Sequence, residues 1–493
     1  MGKAISGEST VEVEEPLSPA ARLFQTRQFN CCIIAIIGCK TVFNSHVIKA
    51  GLEHTLIKHP RFSSLMVADK MGGEMRWIRT KVNVEDHIII PNVDPNMGSP
   101  DQFIESYISN MTKTYLDDSK PLWDIHLLNV KTSEAESTAI FRIHHSIGDG
   151  MSIMSLVLAC TRKTSDLNAL PTIPTKKRQR SSNSGRFIRL VSYIWFVLQV
   201  ICNTLVDVVM FIATSAFLRD TRTPLKGAPG VELSPKWFVH KTISLDDIKL
   251  VKNAMDMTIN DVILGVTQAG LSRYLNRQYG RTGEGNAEED AAKQKRNNLP
   301  RKLRFRAALI FNIRPSMAIE ALADMMERKS KTKWGNYIGY ALLPITIALR
   351  DDPLDYVREA KATVDRKKRS LEAKCTFLSA KYIVNLLGAK VAAAISYKVF
   401  SNTTMSFSNV VGPVDEISFY GHPMAYLAPS VYGHPHALTV HFQSYMNMMT
   451  ISLAVDRDAV PDPHQLCNDL AESLKLIKAA VMKKGLAQES VQR

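Results

Sequence analysis

The chain has 493 residues, enough for two or three domains. Hydrophobic residues make up 45% of it and charged residues 22%, which excludes a chain disordered throughout and predicts a packed core. Its 62 Lys and Arg against 47 Asp and Glu leave a net charge of +15, which favours anionic partners such as a phosphate-bearing cofactor, anionic lipid or nucleic acid without choosing among them.

The first residues are polar, with Glu12, Glu14 and Glu15 in the place of a signal peptide's apolar run, so no signal peptide is predicted. Met1-Gly2-Lys3-Ala4-Ile5-Ser6 matches the short N-myristoylation pattern. From Ala20, apolar runs and helix-like patterns alternate with turn signals such as Lys58-His59-Pro60, and residues 1–160 read as a mixed α/β domain. Ser137 to Ile143 predicts a strand, His144-His145-Ser146-Ile147-Gly148-Asp149-Gly150 a turn at its end, and Met151 to Cys160 a helix.

Residues 161–235 read as a linker. Lys176-Lys177-Arg178-Gln179-Arg180 and the Ser-rich stretch after it predict a mobile basic segment. Leu190 to Leu218 is apolar, long enough to span a bilayer, and carries one charge, Asp207. Its polar residues Ser192, Gln199, Asn203, Asp207 and Thr214 fall on one helical face. A single crossing would put the His pair and the later polar motifs on opposite sides of the membrane. The segment is therefore expected to lie in the interface as a monotopic anchor, the alternative being a packed linker helix.

Residues 236–493 resume α/β character. Tyr279 to Lys302 predicts a disordered loop, Arg304 to Ile313 a strand ending at Arg314-Pro315, Asp352 to Glu372 a charged amphipathic helix, and Tyr432 to Val455 two strands. The seven cysteines show no C-x-x-C spacing; buried reduced thiols are expected, and with them a globular part facing the cytosol. His434, His436 and His441 do not match a zinc spacing, so no metal is expected.

An imidazole at a strand end is placed to take a proton from a substrate hydroxyl, and its ordinary pKa of about 6.5 suits it to neutral pH. Side chains alternate along a strand, so His144 points away from His145 and reads as structural. Alone, such a pair is more simply two hydrogen-bonded core histidines.

The H-H-x-x-x-D-G spacing is accompanied by Glu15-Pro16-Leu17-Ser18-Pro19, Pro121-Leu122-Trp123-Asp124, Asn260-Asp261, Trp334-Gly335-Asn336-Tyr337-Ile338-Gly339 and Ser408-Asn409-Val410-Val411-Gly412-Pro413. The ordered set resembles the wax ester synthase/diacylglycerol acyltransferase family in its plant form, from about Glu15 to about Leu476. That resemblance implies two chloramphenicol-acetyltransferase-like mixed-sheet domains with the active site between them, joined by the apolar helix. It implies transfer of a long-chain acyl group from acyl-CoA, a co-substrate rather than a bound cofactor, to a fatty alcohol, with diacylglycerol as a second acceptor. His145 takes the role of general base. Asp149 is expected to hold the loop through an arginine, Arg314 being a candidate, and Gly150 to permit a backbone conformation that a side chain would block. Asn260, Ser408 and Asn409 are candidate oxyanion donors or substrate contacts; an N-cap for Asn260 and a plain turn for the other two are the alternatives. Trp123 is expected to shape the domain or the acyl channel. The family implies the cytosolic face of the endoplasmic reticulum membrane, or the plasma membrane.

Two rival functions are a soluble plant acyltransferase acting on phenolic or alkaloid alcohols, whose D-F-G-W-G element this chain lacks, and a non-enzymatic lipid-binding membrane protein. Nucleic acid is not an expected partner, because only the net charge and one basic run speak for it.

Overall fold

The computed structural model describes residues 15–68, 75–93, 98–174, 186–281, 296–313 and 334–486. Before the apolar helix the chain forms β1 (Glu15–Pro16), α1 (Pro19–Leu23), β2 (Cys32–Cys39), α2 (Ser45–His54), β3 (Ser64–Ala68), β4 (Met75–Arg79), β5 (Ile88–Ile89), α3 (Pro100–Met111), β6 (Trp123–Leu128), β7 (Ser137–His144), α4 (Gly150–Ala159) and β8 (Thr161–Lys163). The apolar helix is α5 (Arg186–Ala216). After it come β9 (Trp237–Ser244), α6 (Leu245–Ala254), α7 (Ile259–Gly280), β10 (Arg306–Asn312), β11 (Ile338–Pro344), α8 (Leu354–Lys368), α9 (Glu372–Leu387) and α10 (Ala389–Ser401). Then follow β12 (Met405–Val410), β13 (Ile417–Phe419), β14 (His422–Tyr432), β15 (Leu438–Tyr445), β16 (Met448–Val455) and α11 (Pro463–Lys483).

Two mixed sheets carry the fold, in the orders β5-β6-β7-β2-β14-β13-β8 and β11-β10-β12-β15-β16-β9, and β1-β4-β3 form a small third one. Strand β2 shows why the first sheet is central. Its sequence is apolar throughout because both faces are covered. Ile33, Ala35 and Ile37 enter one core with Trp123, Phe141 and Leu156. Cys32, Ile34 and Ile36 enter another with Ile104 and Ile108 of α3. In the second half α7 is buried almost all round, between α8 and α11. Gly265 allows that packing: a Cβ there would lie 2.9 Å from the backbone of Val357.

The two halves are not cleanly divided. Strand β14 pairs antiparallel with β2 from Tyr432 opposite Cys32 to Met424 opposite Cys39, and β13 pairs with β8. Residues 417–432 thus belong to the first sheet although they lie within 236–493, and Thr161–Lys163, at the start of the expected linker, is a strand of that sheet. Periodicity identifies a strand but not the sheet it joins. The helix predicted from Asp352 to Glu372 is α8, which ends at Lys368; after a break at residues 369–371, Glu372 begins α9. Helix α7 runs to Gly280, and the rest of the predicted loop lies largely outside the described residues, as do Met1–Ser6, Lys176–Arg180 and Arg314.

Helix α5 docks through its polar stripe. Asp207 Oδ1 accepts from Arg366 Nη1 and Lys367 Nζ, both at 2.9 Å. Gln199 accepts from Arg369 at 2.8 Å, Asn203 donates to the Arg369 carbonyl at 3.2 Å, and Thr214 Oγ1 accepts from Arg306. Removing one partner from a buried ion pair leaves a stranded charge, a cost of about 3–5 kcal/mol, so Asp207 fixes the helix strongly. The opposite face is apolar and exposed, from Phe187 through Trp195 (62% exposed) and Leu205 to Phe217.

Candidate active site

The backbone N–H of His145, just past β7, donates to the carbonyl of Cys31, just before β2, at 2.9 Å, and that of His144 to the Leu122 carbonyl at 2.9 Å. The two imidazoles then diverge. His144 is braced: Nε2 meets Asn30 Oδ1 at 2.9 Å and Nδ1 meets Ser146 Oγ at 2.7 Å. Burial, with the neighbouring His145, lowers its pKa to about 3, so it stays neutral. Two residues earlier on β7, Arg142 forms a buried fork with Asp124 directly opposite on β6, with Nε 3.1 Å from Oδ1. The Asp of the Pro-Leu-Trp-Asp motif thereby holds the strand that presents the histidines.

His145 is buried and its ring stacks on Phe24 of the α1 segment, centroids 4.3 Å apart. Its Nδ1 lies 3.2 Å from Asn336 Oδ1. The Asn336 amide is oriented by its other end, where Nδ2 donates to the His145 carbonyl at 2.9 Å and the Ser146 carbonyl at 3.4 Å. An amide oxygen only accepts, so His145 Nδ1 must carry the proton and Nε2 is left with its lone pair. Burial lowers the His145 pKa below 6.5, opposed by its own backbone, by Asp149 and by Asn336, so this neutral form is the one present near pH 7.

The segment before β11 clamps the loop that carries this ring. Trp334 Nε1 donates to the Ile147 carbonyl at 2.7 Å, and the Tyr337 N–H to Asp149 Oδ2 at 3.0 Å. Between them Gly335 takes φ of +120°, where a side chain would be strained. Asp149 Oδ1 accepts from Ser152 N and Oγ, both at 2.9 Å, and so caps α4. Its carboxylate thus joins the first half to the second at the loop.

Two cavities meet at His145. One, of about 260 Å³, lies between α1 and the α9–α10 hairpin and is walled by Leu23, Phe24, Phe377, Ala380 and Phe400. The other, of about 370 Å³, runs between the halves past α4, α7 and α8, and combines Met151, Met154 and Leu264 with Asn260, Ser408, Asn409, Lys367, Lys368 and His441. Both include His145, Ile310, Ile338 and Val431, so the imidazole stands at their partition.

Asn260, Ser408 and Asn409 come together on the second cavity, and Asn409 Nδ2 donates to Asn260 Oδ1 at 2.7 Å. The N-cap weighed as the alternative for Asn260 belongs to Thr258, which forms a capping box with Asp261; Asn260 is the second helical residue. Gly150 needs no unusual backbone: its φ is not positive, and a Cβ would meet no atom within 4 Å. It lines the second cavity, so a side chain there would fill substrate space instead. Trp123 is 1% exposed and lines neither cavity; its Nε1 donates to the Phe62 carbonyl at 2.9 Å and its ring stacks on His87. It stands in the core beneath the site.

His434 and His436 share Ser406 Oγ, at 3.0 and 2.8 Å, and His441 Nδ1 lies 3.2 Å from Ser430 Oγ. Among the described residues no three His, Cys, Asp or Glu side chains converge as a metal-ligating group. Asn336 and Phe24 were not singled out in the sequence, although Asn336 lies in a run noted there as a family mark.

Comparison with known proteins agrees with this architecture. Residues 45–263 match the family model "Wax ester synthase/diacylglycerol acyltransferase catalytic domain", and residues 334–478 match "WS/DGAT C-terminal domain". The chain is 55% identical to wax ester synthase/diacylglycerol acyltransferase 11 of Arabidopsis thaliana over 487 residues, 98% of each chain. Its fold is similar to that of a wax ester synthase/diacylglycerol acyltransferase from Marinobacter aquaeolei VT8, with a TM-score of 0.58 at 16% identity, covering 94% of this chain and 99% of the other. The starter condensation domain of rhizomide synthetase, solved in complex with C8-CoA and Leu-SNAC, is similar at a TM-score of 0.54 and 12% identity, covering 95% and 94%. By its matches over most of its length, this chain belongs to the wax ester synthase/diacylglycerol acyltransferase family.

Proposed function

We propose that this protein moves a long-chain acyl group from acyl-CoA to a fatty alcohol, forming a wax ester, and that diacylglycerol is a second acceptor. One observation carries this: an imidazole with its Nδ1 proton held by Asn336 and Nε2 free stands where two cavities meet. The alcohol oxygen attacks the thioester carbonyl while its proton passes to His145 Nε2. The tetrahedral oxyanion then collapses, the C–S bond breaks, and the imidazolium returns the proton to the CoA thiolate. Asn260, Ser408 and Asn409 supply the polar lining for the thioester oxygen or the CoA arm. Half-exposed Lys368 puts positive charge on the same side, suited to a phosphate-bearing donor, whereas Lys367 is held by Asp207 and Glu372. The apolar cavity suits the alkyl chain of the acceptor.

The protein would work from the cytosolic face of the endoplasmic reticulum membrane or the plasma membrane, with α5 lying in the interface. Two features support that placement. The polar stripe of α5 is bonded to the protein while its apolar face is exposed. Strand β8, before α5, pairs with β13, after it, so the body on either side of the helix is one sheet.

The test is acyl transfer by membranes of a lipid-deficient host expressing the chain, offered labelled palmitoyl-CoA with hexadecanol, diacylglycerol or a phenolic alcohol. Wax ester from the wild type and none from His145→Ala is the expected result. Product on the phenolic alcohol alone, or none from a well-expressed wild type, would overturn the proposal.

A further inference from the structure

Helix α9 is apolar on two sides, and only one of them is used by the active site. Phe377 and Ala380 face the cavity beside α1. Leu371, just before the helix, and Leu378, Tyr382 and Leu386 follow one another at seven- and four-residue steps and so share another face, which is exposed. At the far end Leu386 is 83% and Leu387 57% exposed, where Gly388 (φ +85°) turns the chain into α10, and exposed Val391 follows. A contiguous apolar ridge of this kind marks a surface that something covers.

Position and charge identify what covers it. The ridge begins where α5 crosses: the N–H of Leu371 donates to Thr204 Oγ1 at 2.9 Å, beside the exposed Leu205 and Val206. It therefore starts at the docked edge of α5, on the same part of the surface. The hairpin's exposed ionisable groups include Lys374, Lys381, Lys390 and Lys398, and none is ion-paired with a carboxylate among the described residues. Its one acid, Glu372, is buried and held by Lys367 at 2.6 Å. Leucines at a corner, a tyrosine behind them and unneutralised lysines around them match the depth profile of an anionic lipid surface: acyl layer, interface, headgroups. Lys381 also lines the apolar cavity while remaining exposed, so it marks that cavity's rim on the hairpin.

Resting on the interfacial placement of α5, we propose that the α9–α10 corner, Tyr382 to Val391, is a second membrane-inserting element that seats the rim of the apolar cavity on an anionic bilayer. A lipid acceptor then reaches His145 from the membrane without crossing water.

The test uses the full chain with a nitrobenzoxadiazole label at position 387 (Leu387→Cys) in a Cys202→Ser, Cys375→Ser background, since the other five cysteines are buried. The same label at native Cys202 reports on α5, and one placed by Lys475→Cys on exposed α11 serves as control. Phosphatidylcholine vesicles containing phosphatidylserine and a nitroxide lipid should quench positions 387 and 202 but not 475. Quenching at 202 without 387 overturns the proposal and leaves the α5 placement standing; quenching at neither overturns both. In a second arm, Leu386→Glu with Leu387→Glu should lower transfer to vesicle-borne hexadecanol about tenfold, the scale of losing burial of two leucines in part. Transfer to water-soluble butanol should be unchanged, and an equal loss on both alcohols would overturn the proposal.

Discussion

The two cavities on either side of His145 are both largely apolar but differ in the polar groups they carry. The one beneath the hairpin is walled by Phe24, Phe377, Ala380 and Phe400 against residues of β10, β11 and β14. The other runs past strand ends, α4, the start of α7 and the end of α8, and adds an amide pair, a serine, a histidine and two lysines to its apolar residues. One imidazole thus faces two largely apolar compartments, and the second also offers an amide pair, Ser408 and half-exposed Lys368 to a nucleotide thioester.

Removing what the compartments share should have the largest effect. His145→Ala is expected to lower kcat by about 10²–10⁴-fold with every acceptor, the usual worth of a positioned base. A loss confined to one acceptor would break the picture of a common partition. Next comes the residue that sets the tautomer. Asn336→Leu should cost about tenfold in kcat or more, since an unheld ring spends part of its time with Nδ1 unprotonated. The pH profile adds a signature. In the wild type the base is lost as pH falls through a pKa lowered below 6.5, so the acid limb lies below that value. Asn336→Asp puts a carboxylate against Nδ1, stabilises the imidazolium and should move that limb to higher pH.

The two compartments should then separate. Ala380→Phe narrows the cavity beneath the hairpin and should shift preference from hexadecanol toward shorter alcohols by about tenfold while leaving KM for acyl-CoA in place. Lys368→Glu reverses a half-exposed charge on the other side and should raise KM for acyl-CoA about threefold, less so at high salt. If the Ala380 change altered acyl-CoA binding and the Lys368 change altered alcohol choice, the assignment of the two sides would be reversed.

How much of this was legible in the sequence depends on the range of the signal. Strands β7 and β10 and helices α4 and α5 lie close to their predicted spans, because apolar periodicity is local and so is hydrogen bonding within a turn. The stripe on α5 was largely legible for the same reason: Gln199, Asn203, Asp207 and Thr214 share the docked face, whereas Ser192 is exposed. The donation of β13 and β14 to the first sheet was not legible, since pairing partners hundreds of residues apart leave no local trace. Nor was the break between α8 and α9, where Arg369–Leu371 carry no Gly or Pro and the turn is imposed by bonds from Gln199, Asn203 and Thr204. The histidine pair could be found in the chain, but the amide that fixes its tautomer could not be assigned from a run of conventional residues such as Trp334–Tyr337. Trp123 shapes the domain, as expected, but the channel offered beside that role is not where it lies, and Gly150 lines a cavity instead of taking the special backbone conformation expected of it.

The long-range pairing of β2 with β14 also sets an order of events in synthesis. Strand β2 leaves the ribosome early and is apolar on both faces, yet its neighbour on one side is made only near the end of the chain, tens of seconds later at ordinary elongation rates. In between, α5 emerges. For that interval the nascent protein holds an open, hydrophobic sheet edge together with a membrane-seeking helix, a combination prone to aggregation in water. Early capture of α5 by a membrane would hold the unfinished chain at a surface, away from other copies, until β14 arrives to close the sheet. A chain stopped before residue 422 would never close it.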